Sequence, residues 1–322
     1  MSAEAYDIHG VRMVVHADHP AVAGAVDTRL RHFRSVAGSG RHDVAIELTH
    51  GANGLKSMTA GLVGRPVYDT PFGPVSYHDA SDQLFSDCGG QASMHVAAGA
   101  GLAQLRTPDG DDAWLISHPL LTIALVELLK RRARYALHAA GLATAGGDVV
   151  LFPGASGAGK TTLALGLLQQ GWGFLADDMV FLSDLDGTVL GFPDEVDVSE
   201  DTAAMFPELA AALHRPAVGG RAKRPLLVEE AFPGATVRHQ GTPAAVVLPH
   251  VSEDGESRLT PLDPDEALVA LAPNVLLTDA ASSQAHFDAL GLLVRSTPCF
   301  ALETGRDFAR LDAILAAAIA AP

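Results

Sequence analysis

Residues 154–161 read Gly-Ala-Ser-Gly-Ala-Gly-Lys-Thr, and no other stretch restricts the fold of this chain as strongly. Glycine at the first, fourth and sixth positions lets the backbone wrap so that successive N–H groups face one point. The pattern is G-x-x-x-x-G-K-[ST] in full, a loop that cradles phosphate. Such a loop needs a strand before it and a helix after it. The apolar run Asp148–Phe152 supplies the strand, and Thr161–Gln170, stopped by Gly171, supplies the helix. The positive end of that helix adds to the attraction for an anion. Gly154, Ser156, Gly157, Ala158, Gly159, Lys160, Thr161 and Thr162 are therefore the expected nucleotide-phosphate ligands. Lys160 reaches the β/γ-phosphates and the Thr161 hydroxyl ligates Mg²⁺, with ATP as the expected nucleotide. Lysine is otherwise confined to Lys56, Lys130 and Lys223, so a chain that favours arginine keeps the compact cation in this loop.

Seventeen residues after Lys160 comes Ala176-Asp177-Asp178-Met179. That interval holds one helix, a turn and the short strand Phe174–Ala176. One carboxylate at the end of an adjacent strand can hold Mg²⁺, and a second beside it can accept a proton from an attacking hydroxyl. Two carboxylates at one metal also push each other's pKa values apart, which favours a division of labour.

The series His138, strand Val149–Phe152, GASGAGKTT, helix, Gly171 and LADDMV resembles the HPr kinase/phosphorylase superfamily. The phosphate-loop domain of that family is similar to phosphoenolpyruvate carboxykinase. The resemblance covers residues 136–192 closely and the rest of the C-terminal half loosely. It implies a fold of the α/β class, with a phosphate-loop mixed-sheet kinase domain preceded by a smaller β-rich domain. It implies Lys160 and Thr161 on phosphate and Mg²⁺, Asp177 as the proton-abstracting carboxylate and Asp178 on the metal side, the two roles being exchangeable. His138 falls where the family has a histidine near the phosphates. The implied activity is transfer of the ATP γ-phosphoryl group to a hydroxyl, chiefly serine, of a peptide, protein or small molecule. It also implies assembly into homo-oligomers. The family's Glu-x-Arg-Gly-like run is replaced here by Gly191-Phe192-Pro193-Asp194-Glu195, with Glu195 standing for its acid. Gly219–Arg224 is a small basic loop that could fold over phosphates or acceptor. The alternative from another class is a nucleotide-gated regulatory or scaffold protein that binds ATP and phosphorylates nothing.

The remaining chain organises around this core. Residues 1–118 read as a β-rich domain for partner or acceptor recognition, residues 119–137 as a connecting helix and residues 138–322 as the phosphotransferase domain. Strand candidates in the first part are Val11–His16, Val44–Thr49, Arg65–Tyr68, Pro74–His78, Gln83–Ser86, Ala92–Ala97, Leu102–Arg106 and Ala113–Ser117. Lys130, Arg131, Arg132 and Arg134 close the helix as a solvated last turn or a patch for an acidic partner. The chain carries 22 Lys+Arg against 38 Asp+Glu, a formal charge of −16, which excludes nucleic acid and anionic membranes as partners. No apolar run appears long enough for a bilayer, and Met1–Gly10 has no secretory pattern, so a cytoplasmic protein is expected. Cys88 and Cys299 are too few for a disulfide framework, and the 14 histidines show no metal spacing.

Overall fold

The computed structural model describes residues 2–36, 41–51, 61–108, 113–183, 187–209, 223–252 and 255–319. The chain is mixed α/β and divides into two compact units. One comprises residues 1–134 with 276–284, the other residues 135–275 with 285–322.

The first unit is built on an eight-stranded sheet. Its strands are β1 (Ser2–Ile8), β2 (Val11–Ala17), β3 (Val44–His50), β4 (Arg65–Thr70), β5 (Gly73–His78), β6 (Gln83–Asp87), β7 (Ser93–Ala97) and β8 (Leu102–Thr107), in the order β1-β2-β3-β8-β7-β6-β5-β4. Alternation of buried and half-exposed residues along β2, β3 and β8 gives the sheet one core-facing side. Strand β1 was not among the expected strands. It pairs with β2 through a two-residue turn in which His9 and Gly10 both have positive φ, 53° and 85°, the backbone that tight hairpins require. A His-Gly turn lacks the Asn-Gly or Asp-Gly signature, which is why the hairpin escaped notice.

Helices α1 (Pro20–Arg29) and α2 (Leu121–Lys130) complete this unit. Ala113–Ser117, expected as a strand, instead forms a helical turn that runs through a π turn at Ile116–Leu120 into α2. A short apolar run does not reveal its own period, and alanine and leucine favour the helix. The whole helix Ala113–Lys130 is long and apolar enough to cross a membrane by length and composition, yet 72% of it is buried inside the fold, as in a core helix. The helix expected to extend to residue 137 stops at Lys130. Ala133 adopts φ 55°, which breaks the helical path, and Arg134–Leu137 is strand β9.

The basic run at the end of α2 is neither a solvated turn nor a free patch. The Lys130 side chain is fully buried, with Nζ 2.9 Å from Glu127 Oε2 and further bonds to the Thr278 hydroxyl and the Leu276 carbonyl. Arg131 pairs with Asp82, Glu127 and Asp279 at 2.6, 2.8 and 2.9 Å. Arg132 and Arg134 donate to the carbonyls of Asp43 and His9. These cations are structural, and Lys130 and Arg131 fasten residues 276–279 to the rest of the first unit.

The second unit carries a nine-stranded sheet. Its strands are β9, β10 (Ala139–Ala143), β11 (Asp148–Pro153), β12 (Gly173–Ala176), β13 (Val180–Ser183), β14 (Val189–Gly191), β17 (Gln240–Val251), β18 (Arg258–Leu262) and β19 (Cys299–Thr304). The main order is β12-β10-β11-β17-β14-β13-β9, with β19 on the C-terminal half of β17 and β18 beyond it. A separate pair joins β15 (Val196–Val198) to β16 (Arg224–Leu226). Strands β13 and β14 form an antiparallel pair, and residues 184–186 between them lie outside the described residues.

Helix α3 (Lys160–Gln169) is buried almost all round, through Leu163, Ala164, Leu165, Leu167 and Leu168. It is sandwiched between the sheet and the terminal helix α7 (Leu311–Ile319), in one core with Phe152, Phe174, Leu302, Leu311 and Leu315. A helix packed on both sides holds its N-terminus at a fixed point. Helices α4 (Glu200–Met205), α5 (Pro264–Leu271) and α6 (Ala280–Ser296) lie between α3 and α7 along the chain. Ser199 and Asp263 cap α4 and α5 with side-chain oxygens that accept from the N–H groups of Thr202 and Asp265.

Candidate functional site

Three segments emerge at one edge of the second sheet for a topological reason. β10 runs antiparallel to both β11 and β12, with Ala139 opposite Pro153 and Gly141 opposite Ala176. The residue before β10, His138, therefore lies beside the residues that follow β11 and β12, namely Gly154 and Asp177. The Gly154 N–H donates to the His138 carbonyl at 3.4 Å, and the His138 N–H donates to the Asn274 carbonyl. Asp177 does not follow a strand adjacent to β11, as the spacing suggested, because β10 intervenes between β11 and β12. Antiparallel insertion of β10 still delivers the carboxylates to the same edge.

The loop Gly154–Gly159 turns from β11 into α3. Gly159, the N-cap, has φ 94°, a left-handed backbone that favours glycine. The first N–H groups of α3 lack intrahelical acceptors and face out of the helix start. Ala155, Ser156 and Gly157 are exposed, whereas Lys160 is only 6% exposed. Its ammonium folds back on the loop, donating to the carbonyls of Gly154 at 2.6 Å and Ala155 at 3.2 Å. Burial holds this lysine below its ordinary range, with the Lys223 charge acting in the same direction and Asp178 and Asp177 opposing. A buried cation beside the start of a helix is the combination that binding of an anion requires.

Asp177 is 6% exposed. The Thr161 hydroxyl donates to its Oδ2 at 2.9 Å, while its Oδ1 is buried without a hydrogen-bond partner among the described residues. Burial, with the charges of Asp178 and Asp197 behind it, pushes the carboxyl up to about 7, against the pull of Thr161 and Lys160. Asp178 points outward with its side chain 71% exposed, and its Oδ1 lies 2.8 Å from His138 Nε2, at ion-pair distance. The two neighbouring carboxylates thus sit in opposite environments. One is dry and bonded to Thr161; the other is wet and against an imidazole. An orphaned buried oxygen beside a threonine hydroxyl is the donor set that a small hard cation such as Mg²⁺ takes.

The buried Asp177 makes stability depend on pH in a stated direction. Its folded carboxyl holds a proton more tightly than the unfolded one. The contribution to stability is therefore complete below about pH 4 and is lost as pH rises through 7. In EDTA without nucleotide, Asp177→Asn is expected to unfold at a higher temperature than wild type at pH 8. The advantage should grow by roughly 2–3 kcal/mol between pH 5 and 8, several degrees in Tm. A thermal scan at the two pH values that gives equal gaps would remove the buried-carboxyl account.

No family model and no curated protein matches the chain. Among solved structures, the Hpr(Ser) kinase/phosphatase from Coxiella burnetii aligns with 50% of this chain and 88% of its own, at 17% identity and a TM-score of 0.24. At that TM-score the alignment carries no argument, and the reading of the site rests on this chain's own residues.

Several neighbours of the site were not singled out from sequence. Asp197, on β15, adds a third negative charge near Asp177. Glu195, the expected acid, precedes β15, and Asp197 is the carboxylate whose charge reaches Asp177. Of the basic loop Gly219–Arg224, residues 219–222 lie outside the described residues. Lys223 acts electrostatically on Lys160, and Arg224, opposite Val198, pairs with Glu200 at 3.2 Å. A cavity of about 670 Å³ lies at the far end of α3, lined by Gln169, Trp172, Phe232 and Phe308, away from the charged cluster.

Proposed function

We propose that the second unit is an ATP- and Mg²⁺-dependent kinase that transfers the γ-phosphoryl group to a hydroxyl, chiefly serine, of a peptide, protein or small molecule. The observation that carries this reading is the convergence of Lys160, Thr161–Asp177 and Asp178–His138 on one sheet edge. Phosphoryl transfer needs little covalent help from the protein; it needs a held polyphosphate, charge compensation and a base for the acceptor. Gly154–Thr162 would hold the phosphates, with Lys160 turning from the loop carbonyls to the ligand.

Burial of Asp177 against Thr161 supports the exchanged assignment of the two carboxylates. Thr161 and Asp177 would hold Mg²⁺, which neutralises charge on the phosphates when bound. Asp178, exposed and beside His138, would accept the proton of the incoming hydroxyl. An imidazole nitrogen at 2.8 Å, at ion-pair distance, would stabilise that carboxylate when protonated. The first unit would present the acceptor, and ATP is the expected donor in a cytoplasmic setting.

The assignment separates the two aspartates by measurement. Asp178→Asn is expected to slow single-turnover transfer about 10²–10⁴-fold with Mg-ATP affinity nearly unchanged. Asp177→Asn should instead remove the Mg²⁺ dependence of ATP binding in calorimetry. The reverse pattern would restore Asp177 as the base.

A further inference from the structure

Sheet order fixes which way a triphosphate must lie, given the proposed phosphate site. His138, which precedes β10, and Asp177 and Asp178, which follow β12, lie on one side of β11. β17 lies on the other side, parallel to β11, and outruns it. The last pairing with β11 is Leu151 opposite Val246, while β17 continues to Val251. Its last residues run along the glycine loop. A Cβ on Gly154 would come within 3.9 Å of the Pro249 ring, and one on Gly159 would come within 3.3 Å of Val251 Cγ2. Pro249 is buried, but Val251 is 56% exposed, a large apolar residue left in water at the rim of the loop.

We propose that the end of β17, with Val251 as its contact residue and Pro249 as its support, is the shelf that receives the nucleoside of the bound triphosphate. This deepens the kinase reading and rests on it. With the γ end of the triphosphate at Asp177 and Asp178, the nucleoside end leaves the loop on the opposite side, which is β17. The orphaned Oδ1 of Asp177 puts the Mg²⁺ side of the proposed site toward β12, away from β17, independently of the shelf. Backbone N–H groups hold phosphates regardless of what they carry, so preference for a nucleotide over bare polyphosphate must come from a surface outside the loop. A purine or ribose over Val251 covers apolar area that is now solvated.

The test compares binding of Mg-ATP and Mg-tripolyphosphate by calorimetry, for wild type, Val251→Ser and Val251→Leu. Wild type should bind ATP more tightly than tripolyphosphate. Val251→Ser should lose about five- to tenfold in ATP affinity and keep tripolyphosphate affinity within about twofold, whereas Val251→Leu should keep both. Val251 is a surface residue, so an unchanged Tm accompanies these results. Equal wild-type affinity for the two ligands, or loss of both alike in Val251→Ser, would overturn the shelf while leaving the phosphate site standing. Wild type that binds neither ligand would overturn the phosphate site and the shelf with it.

Discussion

Lys160→Ala is expected to cut phosphoryl transfer at least a hundredfold, the scale seen when one preorganised charge donor is taken from a reacting group. Mg-ATP affinity should fall with it. The fold should not: the Lys160 ammonium is buried and, among the described residues, bonded to the carbonyls of Gly154 and Ala155. That arrangement is costly for a cation, since burial, with the Lys223 charge behind it, holds its pKa down. Removing it leaves two carbonyls at a half-exposed loop where water can reach them. Thermal unfolding without nucleotide is therefore expected within a few degrees of wild type, and stabilisation by Mg-ATP should disappear. Loss of fold together with loss of activity would mean that Lys160 serves the core.

Glu127→Ala is expected to be the most damaging single change to stability in the first unit. Glu127 is fully buried at the centre of a charge cluster. It holds Lys130 at 2.9 Å and Arg131 at 2.8 Å, and accepts from the Thr278 hydroxyl at 2.9 Å. Arg131 would keep Asp82 and Asp279, but Lys130 would be left with neutral partners only, in a place without solvent. Breaking a buried pair from one side costs about 3–5 kcal/mol, on the order of 10 °C in Tm. Lys130→Met should cost less, because Glu127 keeps Arg131 and the methionine chain fills the stem's space. Comparable losses from the two variants would contradict this account of the cluster.

The contrast between those two sites shows where sequence reasoning reaches and where it stops. The glycine loop was legible because its chemistry demands particular residue types at consecutive positions, and Gly159 at φ 94° is one of them. The interval to Asp177–Asp178 was legible because only one helix and one strand fit within it. The strands of the first sheet were legible from alternation, except β1, whose His-Gly turn carries no common signature. The end of α2 was not. Lys130 and Arg131 read as a solvated cationic turn because, Glu127 apart, their partners Asp82, Thr278 and Asp279 lie 49 or more residues away. Asp197 and Val251 were hidden for the same reason. Their place beside the loop follows from the pairing of β15 with β16 and from the length by which β17 outruns β11, neither of which is written in local pattern.

The measurement that bears most directly on the kinase reading is acceptor-dependent ADP formation from Mg-ATP. The acceptors are free serine, HPr and serine-containing peptides encoded beside the gene, tested with wild type and Lys160→Ala in parallel. The account predicts turnover by wild type that requires one acceptor class and vanishes in Lys160→Ala. ATP that binds wild type stoichiometrically and is never turned over with any of these acceptors would contradict it, and would assign the loop to a nucleotide-gated binding protein.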